Sequence, residues 1–592
     1  MRTSAARIVS DAASLNAGRQ AVVHRRWADE EVTSLDQFRW RTFVWALSTT
    51  LGVLIPFWIV VPPTYLTNDD TTIRKTLEGL TAPGAAPSGY LPMAHSLLGW
   101  GIVALQRVVH VHLWDFVVAG LLVCAIATLL AYVWCLSRST LERVFGVTTV
   151  LVTIAPLVAG MQFTISATLA GIAAMTIAAT ELLQPAPRRS LLAASAALLT
   201  AGLLVRPMGA AAGGLLVVGL LLPLAIADRE DRRVRIYRLG IAALLLVITV
   251  FGLSNLDDAL YRLSPAWSAY RDDRWVLARF FEWGGDLPSA SIDSLRSRLG
   301  WSANDWELLQ RFWGVDAAVH SHTKVQALYG AWLSLSDWSV RAHSLVQRGA
   351  TELSAATVLR LVSESVATLG ACVLIALAYA RRRALVPLCA SAAIFFAACI
   401  TIEVGFKELP TRLFAPLQVA LAVASLITCR MLVRPTTRRV TAFAAVLAGA
   451  LFVYQAQATI TSAVADSRQS KEIDTQVLEL LRQSPSLLVL HADSFPSEYW
   501  WRPFHTPPVQ LAALQLGLNN HHPYVQRFVQ NVYGGSLLHA ICTDPSIIVV
   551  AEHGRLEPVT AFMKEHYDAD VTWIPAYEGS FRAWRCSPNT GE

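Results

Sequence analysis

Residues 114–136 read WDFVVAGLLVCAIATLLAYVWCL, and after Asp115 the run carries no charged side chain to its end. A helix rises about 1.5 Å per residue and bilayer hydrocarbon is about 30 Å thick, so a segment of this length and composition is the kind that crosses a membrane. Working outward, comparable runs fall near 43–62, 143–160, 163–183, 190–205, 209–227 and 238–254. After a long polar interval, others fall near 361–380, 384–402, 412–431 and 440–458. The pattern predicts an α-helical polytopic membrane protein with about eleven transmembrane helices. Of 592 residues 54% are hydrophobic and 16% charged. A soluble protein carries about 25% charged residues, so this chain lacks the polar surface to cover a soluble body.

The arginines orient it. Residues 1–42 are polar and Arg-rich and read as a cytoplasmic tail rather than a cleavable signal peptide. With that tail inside, the short loops and helix ends on the cytoplasmic side hold sixteen arginines, from Arg138 and Arg143 through Arg238 to Arg438 and Arg439, against Arg206, Lys407 and Arg412 on the other side. The formal net charge of +6 is read through this bias, so nucleic acid is not an expected partner. The expected location is the inner or plasma membrane, multi-pass, with the C-terminus extracytoplasmic.

Three longer polar stretches then lie outside. The first transmembrane block, 43–254, contains the acidic loop 63–113. A Trp-rich insertion covers 255–360 and reads as short helices near the membrane interface, where amphipathic rings pack and anchor. A second block, 361–458, precedes a domain at 459–592. There the runs Leu487–Leu490 and Ile547–Val550 alternate with helix-like segments such as Leu556–His566, which predicts a small α/β domain. Only Cys542 and Cys586 fall in that domain, and a disulfide between them is expected in an oxidising compartment. The other six cysteines lie in or beside apolar runs and read as small hydrophobes.

Chemistry-bearing residues cluster outside. Directly after the first span comes Asn68-Asp69-Asp70. A carboxylate here is suited to act as general base on a hydroxyl, a pair is suited to a divalent cation, and the same acids equally cap a helix starting near Thr71. His95 opens the 14-residue apolar stretch Ser96–Val109, short for a span and typical of an interfacial helix; it reads as a ligand for phosphate or a sugar hydroxyl, or as filler. Glu403, Lys407, Glu408 and Arg412 form a charged knot between two spans, with Lys407 and Arg412 suited to a phosphate. Arg206 stands at the outer junction of two apolar runs, where an anion would satisfy it. For each cation the alternative is snorkelling to the headgroups.

Taken together, Asn68-Asp69-Asp70, the segment Gly89-Tyr90-Leu91-Pro92-Met93-Ala94-His95, the stretch WSANDWELLQRFW at 301–313 and Leu409-Pro410-Thr411-Arg412-Leu413-Phe414-Ala415-Pro416 resemble the GT-C class of membrane glycosyltransferases. More narrowly they resemble bacterial polytopic proteins with an NDD-type first loop. The resemblance covers roughly residues 40–435. It implies transfer of a sugar from a polyprenyl-phosphate donor to a glycan or lipid acceptor of the cell envelope, with Asp69 or Asp70 as catalytic acid–base group. Arg206, Lys407 or Arg412 would then meet the departing lipid phosphate. Trp500-Trp501-Arg502 does not form the WWD-type signature of oligosaccharyltransferases. The competing readings are a transporter or flippase for a lipid-linked glycan, and a non-catalytic scaffold of envelope assembly. Internal repeats and midplane charges, which favour a transporter, are absent from the sequence.

Overall fold

The computed structural model describes residues 40–227, 231–282, 289–316, 318–335, 355–379, 382–406, 409–432, 438–491, 494–507, 509, 512–517 and 519–589. Lys407 and Glu408 lie outside the described residues, as does nearly all of the predicted tail 1–42.

In chain order, α1 (Trp40–Val60) leads to a two-residue strand β1 (Thr64–Tyr65) and a short helix α2 (Asn68–Glu78). Then come α3 (Ser96–Val109), α4 (Leu113–Leu136), α5 (Thr140–Ile154), β2 (Gly160–Met161), α6 (Phe163–Leu182), α7 (Arg189–Val205), α8 (Pro207–Ala227) and α9 (Arg232–Tyr261). The insertion supplies α10 (Pro265–Leu277), α11 (Ser289–Leu299), α12 (Ala303–Gln310) and α13 (His322–Leu335). A second helical block follows with α14 (Ala355–Glu364), α15 (Val366–Ala378), α16 (Arg382–Phe406), α17 (Thr411–Leu432) and α18 (Arg438–Leu481). The C-terminal domain holds β3 (Leu487–Leu490), α19 (Ser497–Trp500), β4 (Ala513–Gln515), α20 (Pro523–Tyr533), α21 (Leu537–Thr543), β5 (Ile547–Val550), α22 (Glu557–Tyr567), β6 (Val571–Glu578) and β7 (Arg582–Pro588).

Among the described residues nine helices are long and apolar enough to cross a membrane: α1, α4, α5 with the turn after it, α6, α8, α9, α16, α17 and α18. Two predicted spans are shorter helices. The one at 190–205 is the 17-residue α7, and the one at 361–380 is interrupted at Ser365 between α14 and the 13-residue α15. Helix α6 sits at the centre, buried almost throughout and packed on α4, α7, α8 and α17. Its Ala, Ser, Thr and Gly side chains let neighbouring backbones approach. Several of their hydroxyls are satisfied locally, as where Thr168 donates to the Thr164 carbonyl at 2.7 Å, while the buried Thr176 hydroxyl finds no partner among the described residues. At the opposite end of the bundle from the acidic loop, arginines turn onto helix C-termini: Arg238 donates to the carbonyls of Leu182 and Gln184, and Arg430 to that of Leu136. Both thereby supply donors to carbonyls that the helices leave unpaired.

The last predicted span, 440–458, is only the first part of a 44-residue helix. At 1.5 Å per residue α18 is about 66 Å long, twice the hydrocarbon thickness. Its far end carries Ile473, Val477 and Leu480 into the core of the C-terminal domain. That domain is built on a five-stranded sheet of order β4-β3-β5-β7-β6, with β3, β4 and β5 parallel and β6 and β7 antiparallel. Strands β3 and β5 are buried on both faces, as their uninterrupted aliphatic sequence requires. Cys542 and Cys586 are joined in a disulfide that ties α21 to β7.

In the Trp-rich insertion three of the rings take the packing part of their expected role. Trp301, Trp306 and Trp313 are buried in one apolar cluster with Val525, Leu537 and Val559 of the C-terminal domain. These rings are the core of the body that the insertion forms with the C-terminal domain; the indole N–H groups of Trp301 and Trp313 find the carbonyls of Val319 and Arg555. Trp275 is exposed.

Candidate functional site

The acidic loop is placed by a minimal parallel pairing, Thr64 with Gly160 and Tyr65 with Met161. A Cβ at Gly160 would stand 2.2 Å from a Leu66 methyl, so a larger residue there would push the exposed Leu66 side chain aside. The pairing lays the start of α2 beside the N-terminus of α6. Helix α2 begins at Asn68, earlier than Thr71, with Thr67 at the cap position and no side-chain capping bond; Asp69 and Asp70 occupy its first turn, where the helix dipole favours them. Gly79 ends it at φ 74°, and a Cβ there would meet the backbone of Ala85 and Pro87 at 2.8 Å.

The two aspartates have different surroundings. Asp70 is fully buried. Its Oδ1 accepts the Phe163 backbone N–H at 3.2 Å, at the first residue of α6. Its Oδ2 has no hydrogen-bond partner among the described residues, and the Trp114 indole faces it without completing one. Burial, and then the neighbouring Asp69 charge, hold the Asp70 carboxyl well above the usual carboxylate range. Asp69 is 17% exposed and accepts from Arg412 Nη1 at 2.8 Å, the arginine being 33% exposed. The fold thus joins the acid of the first loop to the arginine that opens α17.

Of the other predicted residues, Arg206 lies close by: its guanidinium is 5.4 Å from the Phe163 ring centroid and donates to the Met93 carbonyl at 3.1 Å. His95 is committed elsewhere. It caps α3, its Nδ1 accepting from the Leu97 N–H, and its Nε2 bonds the Leu253 carbonyl. With both ring nitrogens used and the side chain buried, nothing remains to bind a phosphate or sugar. Glu403 is also structural: Oε1 takes Arg360 at 2.7 Å and Oε2 takes the Leu409 N–H at 2.5 Å, which ties α16 to the residue two before α17.

Four further residues in or packed around the acidic helix escape a reading of the sequence. Arg74 is fully buried and donates to Glu78 and to the carbonyls of Arg502 and His505 at 2.6 and 2.8 Å. Asp115, at the head of α4, accepts from the Tyr65 hydroxyl and from the Phe504 N–H. Lys75 is buried, with Nζ 2.6 Å from Gln515 Oε1 and 3.2 Å from the Trp501 ring centroid. Burial lowers its ammonium well below the usual lysine range. Gln515 is the fourth. Arg74 and Lys75 follow the acids directly, yet a short charged helix ordinarily lies in water; here the C-terminal domain on one side and the starts of α4 and α6 on the other bury it.

Among the described residues the one grouping of three or more His/Cys/Asp/Glu with ligand atoms close enough for a metal is Asp305, Glu565 and His566, at the seam of insertion and C-terminal domain. There Asp305 completes a capping box with Ser302 and pairs with His566 at 3.0 Å. Between α8, α16 and α17 lies an apolar cavity of about 250 Å³, lined by Ala212, Leu216, Gly219, Ile394, Ile402 and Leu417 among others. Leu417 is five residues along α17 from Arg412, about 7.5 Å by helical rise. Compared with known proteins, the chain matches no family model, no curated protein and no solved structure.

Proposed function

We propose that this is a GT-C-type membrane glycosyltransferase that moves a sugar from a polyprenyl-phosphate donor to a cell-envelope glycan or lipid acceptor on the extracytoplasmic face. The observation that carries the reading is the Asp69–Arg412 pair set against a buried second acid. Two adjacent carboxyls whose environments separate them suit one ionised and one protonated group. Asp70 is the protonated member and Asp69 the base, because only Asp69 is reachable from outside. The donor phosphate competes for Arg412. Once it binds, Asp69 is released to take the acceptor hydroxyl proton; the acceptor oxygen bonds the anomeric carbon, the bond from that carbon to the phosphate oxygen breaks, and polyprenyl phosphate leaves with the electron pair against Arg412. The apolar cavity under α17 suits a lipid tail, and the many long apolar helices suit a multi-pass protein with about eleven spans once α7 and α15 are counted.

The decisive assay incubates the protein, purified in nanodiscs, with a panel of polyprenyl-phosphate sugars and measures released polyprenyl phosphate. Release by wild type and none by Asp69→Asn supports the proposal. A deletion strain that accumulates intact lipid-linked glycan on the inner leaflet, with no release in vitro, would make the protein a flippase instead.

A further inference from the structure

The acidic helix α2 has little to hold it up by itself. It is 11 residues long, lacks a side-chain cap bond and buries polar side chains over most of its length. A helix this short is marginal in water even with good propensity. Its order therefore comes from its neighbours, and on one side the neighbour is the C-terminal domain. Thr71 Oγ1 lies 3.3 Å from Ser497 Oγ, and one turn further Lys75 reaches Gln515 and Trp501. These two attachments fix both position along α2 and rotation about its axis, and so aim Asp69 and Asp70.

The sheet edge supports the same assignment. In an open parallel sheet, ligands bind beyond the carboxyl ends of the strands. Here those ends are taken by the chain itself. Gln515 closes β4 on Lys75; past the end of β3, His491 Nε2 meets the Arg311 carbonyl at 2.7 Å with Trp313 packed on its ring; past β5, Gly554 accepts from Arg311. We infer that the C-terminal domain is a clamp for the acidic helix, with Lys75 and Gln515 as positioning residues that set the Asp69–Asp70 geometry. This rests on the acid pair serving the reaction proposed above.

The test uses the full chain in nanodiscs, with amide hydrogen exchange over residues 69–78 read beside polyprenyl-phosphate release. Gln515→Leu strips the acceptor from the buried ammonium. It is expected to raise exchange across α2 and lower kcat by about ten- to a hundredfold, since an ångström of misplacement costs that much, with donor KM changed by less than about twofold. Gln515→Glu, which keeps an acceptor, restores both. A Thr71→Cys/Ser497→Cys bridge added to Gln515→Leu recovers kcat under oxidation and loses it on reduction. Unchanged exchange in Gln515→Leu overturns the clamp, and so does raised exchange at full kcat. If wild type releases no polyprenyl phosphate from any donor, the reaction proposal fails, and the exchange measurement alone then supports or overturns the clamp.

Discussion

Arg412 Nη1 donates to Asp69 Oδ2 over 2.8 Å and across 343 positions of sequence, joining the first turn of α2 to the first turn of α17. Both side chains are partly exposed, so the pair is screened and contributes about 0–1 kcal/mol to folding. Arg412→Gln and Asp69→Asn are therefore expected to leave the unfolding midpoint nearly unchanged, while polyprenyl-phosphate release falls at least about a hundredfold. Thermal unfolding and release measured on the same preparations decide it; a matching collapse of stability would make the pair structural.

Asp70 carries a pH signature of the opposite kind to an ordinary salt-bridged acid. Burial raises its folded-state pKa, so the folded chain holds this proton more tightly than the unfolded chain does. Its contribution is fully present below the unfolded value of about 3.9 and declines as pH rises toward the folded value. Asp70→Asn keeps an acceptor for the Phe163 N–H and cannot ionise. Its unfolding midpoint should exceed that of wild type at pH 7–8 and converge with it near pH 4, in unfolding scans across that range.

His522 behaves in reverse. Its ring is buried among Trp267, Tyr270 and Tyr524, and burial pushes it down to about 3. The neutral ring thus contributes stability above the unfolded value of about 6.5 that is lost as pH falls toward 3, at about 1.4 kcal/mol per pH unit. His522→Asn keeps a capping acceptor for α20. It is expected to flatten the acid loss between pH 6.5 and 4, leaving the part due to His320, which burial pushes to about 4. Equal slopes in variant and wild type would remove His522 from the account.

The disulfide and the orientation are tested together. Replacing Cys542 and Cys586 by alanine opens a 44-residue loop and should cost roughly 2–4 kcal/mol. In a background without the six free cysteines, an impermeant maleimide applied to intact cells is expected to label Asp568→Cys on the C-terminal domain and to spare Arg189→Cys at the other end of the bundle. Labelling of Arg189→Cys alone would invert the proposed topology.

Nine of the eleven apolar runs, as long apolar helices, and the central strands β3 and β5 were legible because each depends on contiguous residues. Leu113–Leu136 carries no charge after Asp115 and Phe163–Leu182 none before Glu181, and β3 and β5 coincide with the aliphatic runs read at 487–490 and 547–550. Where reach beyond the segment mattered, the reading fell short. The C-terminal half of α18 is polar enough to look like the start of a separate domain, and its packing against Leu488 and Trp500 belongs to one continuous helix. The tryptophans of 301–313 carry an amphipathic signature that fits a membrane interface and a protein core alike, and the C-terminal domain decided between them.

The acids after the first helix stand out in the sequence because charge beside an apolar run is conspicuous locally. Which of them is buried is not local. Asp69 and Asp70 are neighbours of identical chemistry, separated by the Phe163 amide and the Trp114 indole on one side and Arg412 on the other. Arg74 and Lys75 look like solvated helix charges until Trp501, Arg502 and Gln515 cover them. Hydrophobic length belongs to a stretch of chain and so is written in order along it. Desolvation of a charge belongs to whatever packs against it from hundreds of residues away, and the folded arrangement alone supplies that.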